Sequence, residues 1–175
     1  MILRLYFFSL ALFFGLAPSF AQTLETIEAV EYDPAVDRWF VTNESNILQT
    51  RDNGNSYQFF GSVSATHGME VVDGMLIAIS DGTIHAIDLT TAQLLGSITI
   101  PRIGFLNGMG SRPGEVIVSD FAKGKLHRID ISEPANMKST VLAANTRTRP
   151  NGVVVDARNN RAVIVNWGSI LLMSL

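Results

Sequence analysis

Four segments of this chain open alike, and their spacing constrains the fold more than any other feature. Ile27-Glu28-Ala29-Val30, Thr66-His67-Gly68-Met69, Leu106-Asn107-Gly108-Met109 and Pro150-Asn151-Gly152-Val153 place a polar residue at 28, 67, 107 and 151, at intervals of 39, 40 and 44. A second landmark follows each opening. Trp39 to Asn43, Leu76 to Ser80, Glu115 to Asp120 and Val163 to Asn166 are apolar runs that end in a small polar residue. A third landmark is an alternating segment closed by an acid: Ile47 to Asp52, Ile84 to Asp88 and Leu126 to Asp130. Turn residues separate the runs, among them Asp33-Pro34, Asp52-Asn53-Gly54, Asp73-Gly74, Asp81-Gly82, Pro113-Gly114, Lys123-Gly124 and Asn159-Asn160. Such residues accept the backbone geometry of tight hairpins. No window beyond residue 22 sustains apolar spacing of helical period,.

Several short strands per unit, repeated near every 40 residues, predict an all-β propeller of four-stranded blades. A sandwich or solenoid also yields many short strands, but not a fixed period opened by the same kind of residue. The blades are expected near 26–63, 64–104, 105–148 and 149–175. The last lacks a fourth strand, so the chain is read as about 3.7 blades, either an incomplete propeller or a very small ring closed by its own N-terminal segment, and the incomplete propeller is the reading favoured.

Residues 1–21 differ from the rest. Sixteen of them are apolar, Arg4 is the sole charge before Glu25, and Pro18 precedes Ser19-Phe20-Ala21. A basic start, an apolar run of about a dozen residues and small residues at the end are the parts of a signal peptide. Cleavage after Ala21 is expected, with the domain spanning 22–175, a secreted or periplasmic location and no stable membrane span after cleavage. The absence of Cys among 175 residues excludes disulfides and thiolate chemistry,. With 13 basic and 16 acidic residues the net charge is −3, which argues against nucleic acid as a partner,. A small-molecule substrate or ligand fits better. Open blade edges at the two ends of an incomplete ring are expected to self-associate.

The run Pro150-Asn151-Gly152-Val153-Val154-Val155-Asp156 with Asn159 to Asn166 resembles blades of the regucalcin/gluconolactonase/luciferin-regenerating-enzyme-like family. So does Leu106-Asn107-Gly108 running on to Val118 through Asp130. The likeness covers residues 27–175, the first four of that family's six blades. It implies a divalent cation in the central channel, held by Glu28, Asn107 and Asn151, with His67 in the substrate cavity. The usual Gly-Pro after the metal-binding Glu is replaced here by Ala29-Val30. The family's general-base Asp would fall beyond Leu175, so this chain alone is expected to be inactive. In a complete form the resemblance implies metal-dependent hydrolysis of a sugar lactone or related ester.

The donor chemistry stands beside that resemblance. Equivalent residues of successive blades surround one axis, so Glu28, His67, Asn107 and Asn151 should meet at the channel mouth. One carboxylate and two amide oxygens are hard donors, suited to Ca²⁺ rather than Zn²⁺. Asn-Gly pairs also serve as plain turn or bulge residues. His85 and His127 precede Asp88 and Asp130 in third strands, and a structural role is expected for both. Trp39 and Trp167 are expected to pack between blades, and Asp120 and Asn166 to cap turns on the channel-distal side. Neither a Gly-x-Ser-x-Gly elbow nor a phosphate or dinucleotide loop is present,. The alternative to an enzyme is a secreted, non-enzymatic, NHL-like propeller that binds a ligand or protein.

Overall fold

The computed structural model describes residues 23–175, so the expected signal peptide lies outside the described residues. The first sheet holds β1 (Val30–Asp33), β2 (Arg38–Asn43), β3 (Asn46–Thr50) and β4 (Gln58–Phe59). The second holds β5 (Met69–Val72), β6 (Met75–Ser80), β7 (Thr83–Asp88) and β8 (Leu94–Thr99). The third holds β9 (Leu106–Arg112), β10 (Glu115–Asp120), β11 (Lys125–Asp130) and β12 (Lys138–Ala143). The fourth has three strands, β13 (Pro150–Asp156), β14 (Arg161–Asn166) and β15 (Ser169–Ser174). Every sheet is an antiparallel meander, and the first strands of successive sheets lie against one another. These are four blades of a β-propeller around an axis lined by β1, β5, β9 and β13.

Turn chemistry sets the hairpins where the sequence predicts them. Asp73 and Gly74 both have positive φ, 51° and 76°, as a two-residue loop twisted to match its strands requires,. Asp37, Asn53, Asp81, Gly114, Gly124 and Asn160 take the same left-handed backbone.

The core is laid down between blades, because the second strands are apolar on both faces. In β6, Leu76 and Ala78 join Phe40, Ile47 and Met69 against blade one. The alternate residues Ile77 and Ile79 pack with Leu106, Val116 and Val118 of blade three. In β10, Ile117 faces the other way, onto Val153, Ala162 and Ile164 of blade four. A fully buried side chain of this size stabilises by about 1.5–3 kcal/mol, so each blade is held mainly by its neighbour.

One buried ion pair adds to the first seam. Arg38 Nη2 lies 2.8 Å from Asp33 Oδ2 and donates to the carbonyl of Leu89 in blade two at 2.9 Å. Its guanidinium also stacks over Phe40 and Phe60.

The outward faces of the first and last blades carry exposed apolar side chains: Val30, Trp39 and Phe59 on one, Val154, Val165 and Ile170 on the other. Among the described residues no blade lies against Trp39, which tilts against Tyr32 with centroids 4.5 Å apart. Among the described residues, no helix is long and apolar enough to cross a membrane.

Candidate functional site at the channel mouth

Backbone hydrogen bonds show which residues of the four blades are equivalent. The N–H of Thr42 donates to the carbonyl of Ala29 at 3.0 Å, and that of Ile79 donates to Gly68 at the same distance. Thr42 Oγ1 accepts the N–H groups of Glu28 and Ala29 at 3.0 and 2.9 Å, as Ser119 Oγ accepts that of Gly108 at 2.9 Å. Leu106 pairs with Asp120 and Pro150 with Asn166, which aligns Asn107 with Asn151. Glu28, His67, Asn107 and Asn151 thus occupy one position in each of four blades, at the end where the innermost strands begin.

Small residues let these positions approach. Gly68 N–H donates to the Asn107 carbonyl at 2.9 Å. A side chain at Gly108 would collide with the carbonyl oxygen of Asn151, which also accepts from Ser119 Oγ at 2.6 Å. Glycine is needed at position 108 for this close approach, not for a turn. His67, Asn107 and Asn151 are half-buried, whereas Glu28 is exposed. Among the described residues, no three His, Cys, Asp or Glu side chains gather in a metal-holding group.

Three residues further along β1 and β5 lie two carboxylates that sequence reasoning missed. Glu31 Oε1 accepts the N–H of Val71 at 3.3 Å, across the seam to blade two. Glu70 Oε2 accepts from Ser111 Oγ at 2.7 Å, across the seam to blade three. Burial raises both pKa values, and that of Glu70 reaches about 7 because its Ser111 bond only partly offsets desolvation and the Glu31 charge adds to it,. Glu70 therefore changes protonation near neutral pH. The signal was in the sequence: Glu stands three residues after the opening polar position in both blade one and blade two.

The rim of the mouth is aromatic. The His67 ring stands edge-on to Phe105, with centroids 4.6 Å apart, and its Nδ1 lies 2.9 Å from Thr66 Oγ1. Phe105, Phe121 and Trp167 continue the row at 6.3 and 6.4 Å. Trp167 is 77% exposed and so does not pack between blades as expected.

Asp120 organises this rim from beneath. Fully buried, it accepts the N–H groups of Gly104, Phe105 and Lys123 at 3.0, 3.0 and 3.1 Å. It is a turn cap as expected. It sits at the end where the inner strands begin, however, because Asp120 pairs with Leu106 and not with the far end of β9. His127 Nε2 lies 3.9 Å from its Oδ2, and desolvation lowers the His127 pKa below the ordinary imidazole value. His85 Nδ1 is engaged by Ser97 Oγ at 2.7 Å.

No family model matches this sequence, and no curated protein does. Solved structures do resemble it. The chain superposes on one in the nidogen/laminin complex with TM-score 0.69 at 15% identity, covering 88% of this chain and 61% of that one. On the β-propeller domain of Myceliophteria thermophila Cps50 (Swd1) the TM-score is 0.67 at 12% identity, covering 87% and 53%. On a chain of the mitotic checkpoint complex it is 0.68 at 10% identity, covering 99% and 57%. The chain thus spans a little over half the length of these structures. Likeness at such identity is likeness of fold, and by that measure the chain is four blades of a β-propeller.

Proposed function

We propose that the channel mouth binds a small polar ligand together with a divalent cation, in the manner of the regucalcin/gluconolactonase-like propellers that the sequence resembles. The observation that carries this reading is the equivalence of Glu28, His67, Asn107 and Asn151 around one axis. The Glu28 carboxylate and the amide oxygens of Asn107 and Asn151 are hard donors, and the set fits Ca²⁺ better than Zn²⁺. Water completes the coordination, since only one of the three is anionic. When bound, the cation supplies Lewis-acid polarisation of a carbonyl oxygen. His67, tied to Thr66 and braced by Phe105, orients the ligand beside it. Hydrolysis of a sugar lactone or ester needs a carboxylate base beside the cation, and none of these four residues is one that is free of the cation.

The same proposal includes export after cleavage at Ala21, tested by intact mass. A mature chain begins at Gln22, and retention of residues 1–21 contradicts export. It also includes self-association through the apolar faces of the first and last blades, tested by sedimentation. For the ligand site the test is thermal. Ca²⁺ raises the melting temperature more than Zn²⁺ does, by mass action on the folded state; no stabilisation by either ion contradicts the site.

A second reading has its own support. The exposed aromatic rim with cations beside it suits a non-enzymatic propeller that captures a protein partner,. Two of the similar structures are of protein complexes, one of nidogen with laminin and one of the mitotic checkpoint.

A further inference from the structure

On the mouth side of the seam between blades three and four lies a groove of about 570 Å³, outside the ring of Glu28, His67, Asn107 and Asn151. Its lining includes Phe121, Trp167, Lys123, Arg147 and Arg149. It carries three cations and no acid, in a chain whose net charge is −3. The acids in the corresponding turns of the first two blades, Glu44 and Asp81, stand elsewhere on this side of the molecule. Asp120 lies beneath the groove, but its carboxylate is fully buried and held by three backbone N–H groups.

The walls are fixed by main-chain bonds. Phe121 N–H donates to the Phe105 carbonyl at 2.8 Å and Trp167 N–H to the Arg149 carbonyl at 3.0 Å. Thr146 N–H donates to the Gly124 carbonyl at 2.8 Å, and Arg147 N–H to Asn145 Oδ1 at 2.8 Å, which clamps the loop before β13 to the turn after β10. The Arg149 guanidinium lies 5.6 Å from the centroid of Phe121, within cation–π range. The backbone of a groove held this way loses little freedom when it is filled.

The ring angles select among anionic occupants. Phe105 and Phe121 stand at 81° and Phe121 and Trp167 at 86°. Successive rings meet edge to face, so they form a continuous wall and not the parallel platforms on which nucleic-acid bases stack. Trp and Arg are also the residues that anchor protein interfaces most often.

We propose that this groove is a docking site for an acidic peptide segment bearing an aromatic residue. The aromatic side chain lies on the exposed face of Trp167, and flanking Asp or Glu carboxylates pair with Lys123, Arg147 and Arg149. The site is separate from the channel cation and does not depend on it.

Fluorescence anisotropy with a labelled Glu- and Asp-rich peptide centred on Phe tests this on the full chain. Binding is expected at low salt and weakens as salt rises. Arg149→Glu and Arg147→Glu each weaken it roughly tenfold or more, and Trp167→Ala does likewise. All three side chains are exposed, and circular dichroism confirms that the variants fold. Glu28→Gln leaves peptide affinity unchanged, which separates failure of the channel site from failure of this one. A lysine-rich peptide of the same length does not bind. The proposal is overturned if the acidic peptide does not bind, or if Arg149→Glu binds it as well as the parent does. It is overturned equally if a heparin fragment or single-stranded DNA binds tighter than the peptide.

Discussion

The carboxylate of Asp120 accepts the backbone N–H of Phe105 at 3.0 Å, from a position 15 residues later in the chain and wholly out of solvent. This one bond joins the end of β10 to the entry of β9 and so sets where the aromatic rim begins. Because the same carboxylate also holds Gly104 and Lys123, the rim and the cationic groove share one anchor.

Asp120→Ala leaves three backbone donors without their charged acceptor. Hydrogen bonds to a charged group are worth about 1.5–3 kcal/mol each, and water replaces part of that loss at the rim. A destabilisation of about 2–4 kcal/mol is expected in urea denaturation. A loss below about 0.5 kcal/mol, the range of ordinary surface substitutions, contradicts the anchoring role.

Gly108 and Gly74 separate two reasons for glycine. Gly108→Ala drives a methyl group into the Asn151 carbonyl and against Gly152 Cα of the neighbouring inner strand. A loss of about 3 kcal/mol or more is expected, as for other severe steric insertions. Gly74→Ala meets no atom within 4 Å and suffers only from its φ of +76°, costing about 1 kcal/mol. Thermal melts of the two variants check the order, and a larger loss at Gly74 refutes it.

The ion pair of Arg38 with Asp33 is predicted to be costly to break from one side only. Arg38→Met leaves Asp33 buried at 3% exposure without its cation, for an expected loss of about 3–5 kcal/mol,. Adding Asp33→Asn returns part of that loss. A double-mutant cycle in denaturant measures the coupling, and strict additivity of the two changes contradicts it.

Glu70 makes the seam between blades two and three sensitive to pH. Its folded pKa is raised from 4.5 to about 7, so the folded chain holds a proton that the unfolded chain releases. The resulting stability is complete below about pH 4.5 and is lost as pH rises through about 7. Each unit of displacement corresponds to about 1.4 kcal/mol, so the total effect is about 1–3 kcal/mol after allowance for partial exposure. Glu70→Gln removes this dependence and stabilises the protein at pH 8. Denaturation midpoints at pH 5 and pH 8 check it, and a parent protein more stable at pH 8 with Glu70 as the cause contradicts it.

The blades were legible in the sequence because two local signals coincide in them. Apolar runs such as Met75 to Ile79 must be buried on both faces, and Asp-Gly turns such as Asp73-Gly74 close them into hairpins. The equivalence of Asn107 and Asn151 was legible for the same reason, since repeats place like residues alike. The aromatic rim was not. Phe105 precedes an inner strand, whereas Phe121 and Trp167 follow second strands, so no period relates all three, and antiparallel pairing alone brings them together. Trp167 was expected between blades because it flanks a second strand, yet it stands over the groove. The repeated position of Glu31 and Glu70 was legible, but the raised pKa of Glu70 was not, because it arises only when blade three packs onto blade two.

The channel-mouth account is tested most directly by calorimetric titration of Ca²⁺ into the parent protein, Glu28→Gln and His67→Ala. Glu28 is the one anionic donor of the proposed set, while water can take the place of either Asn amide oxygen. The account predicts one cation per chain in the parent, affinity weakened roughly tenfold or more in Glu28→Gln, and affinity unchanged in His67→Ala. Undiminished Ca²⁺ affinity in Glu28→Gln, or no Ca²⁺ binding by the parent, contradicts it.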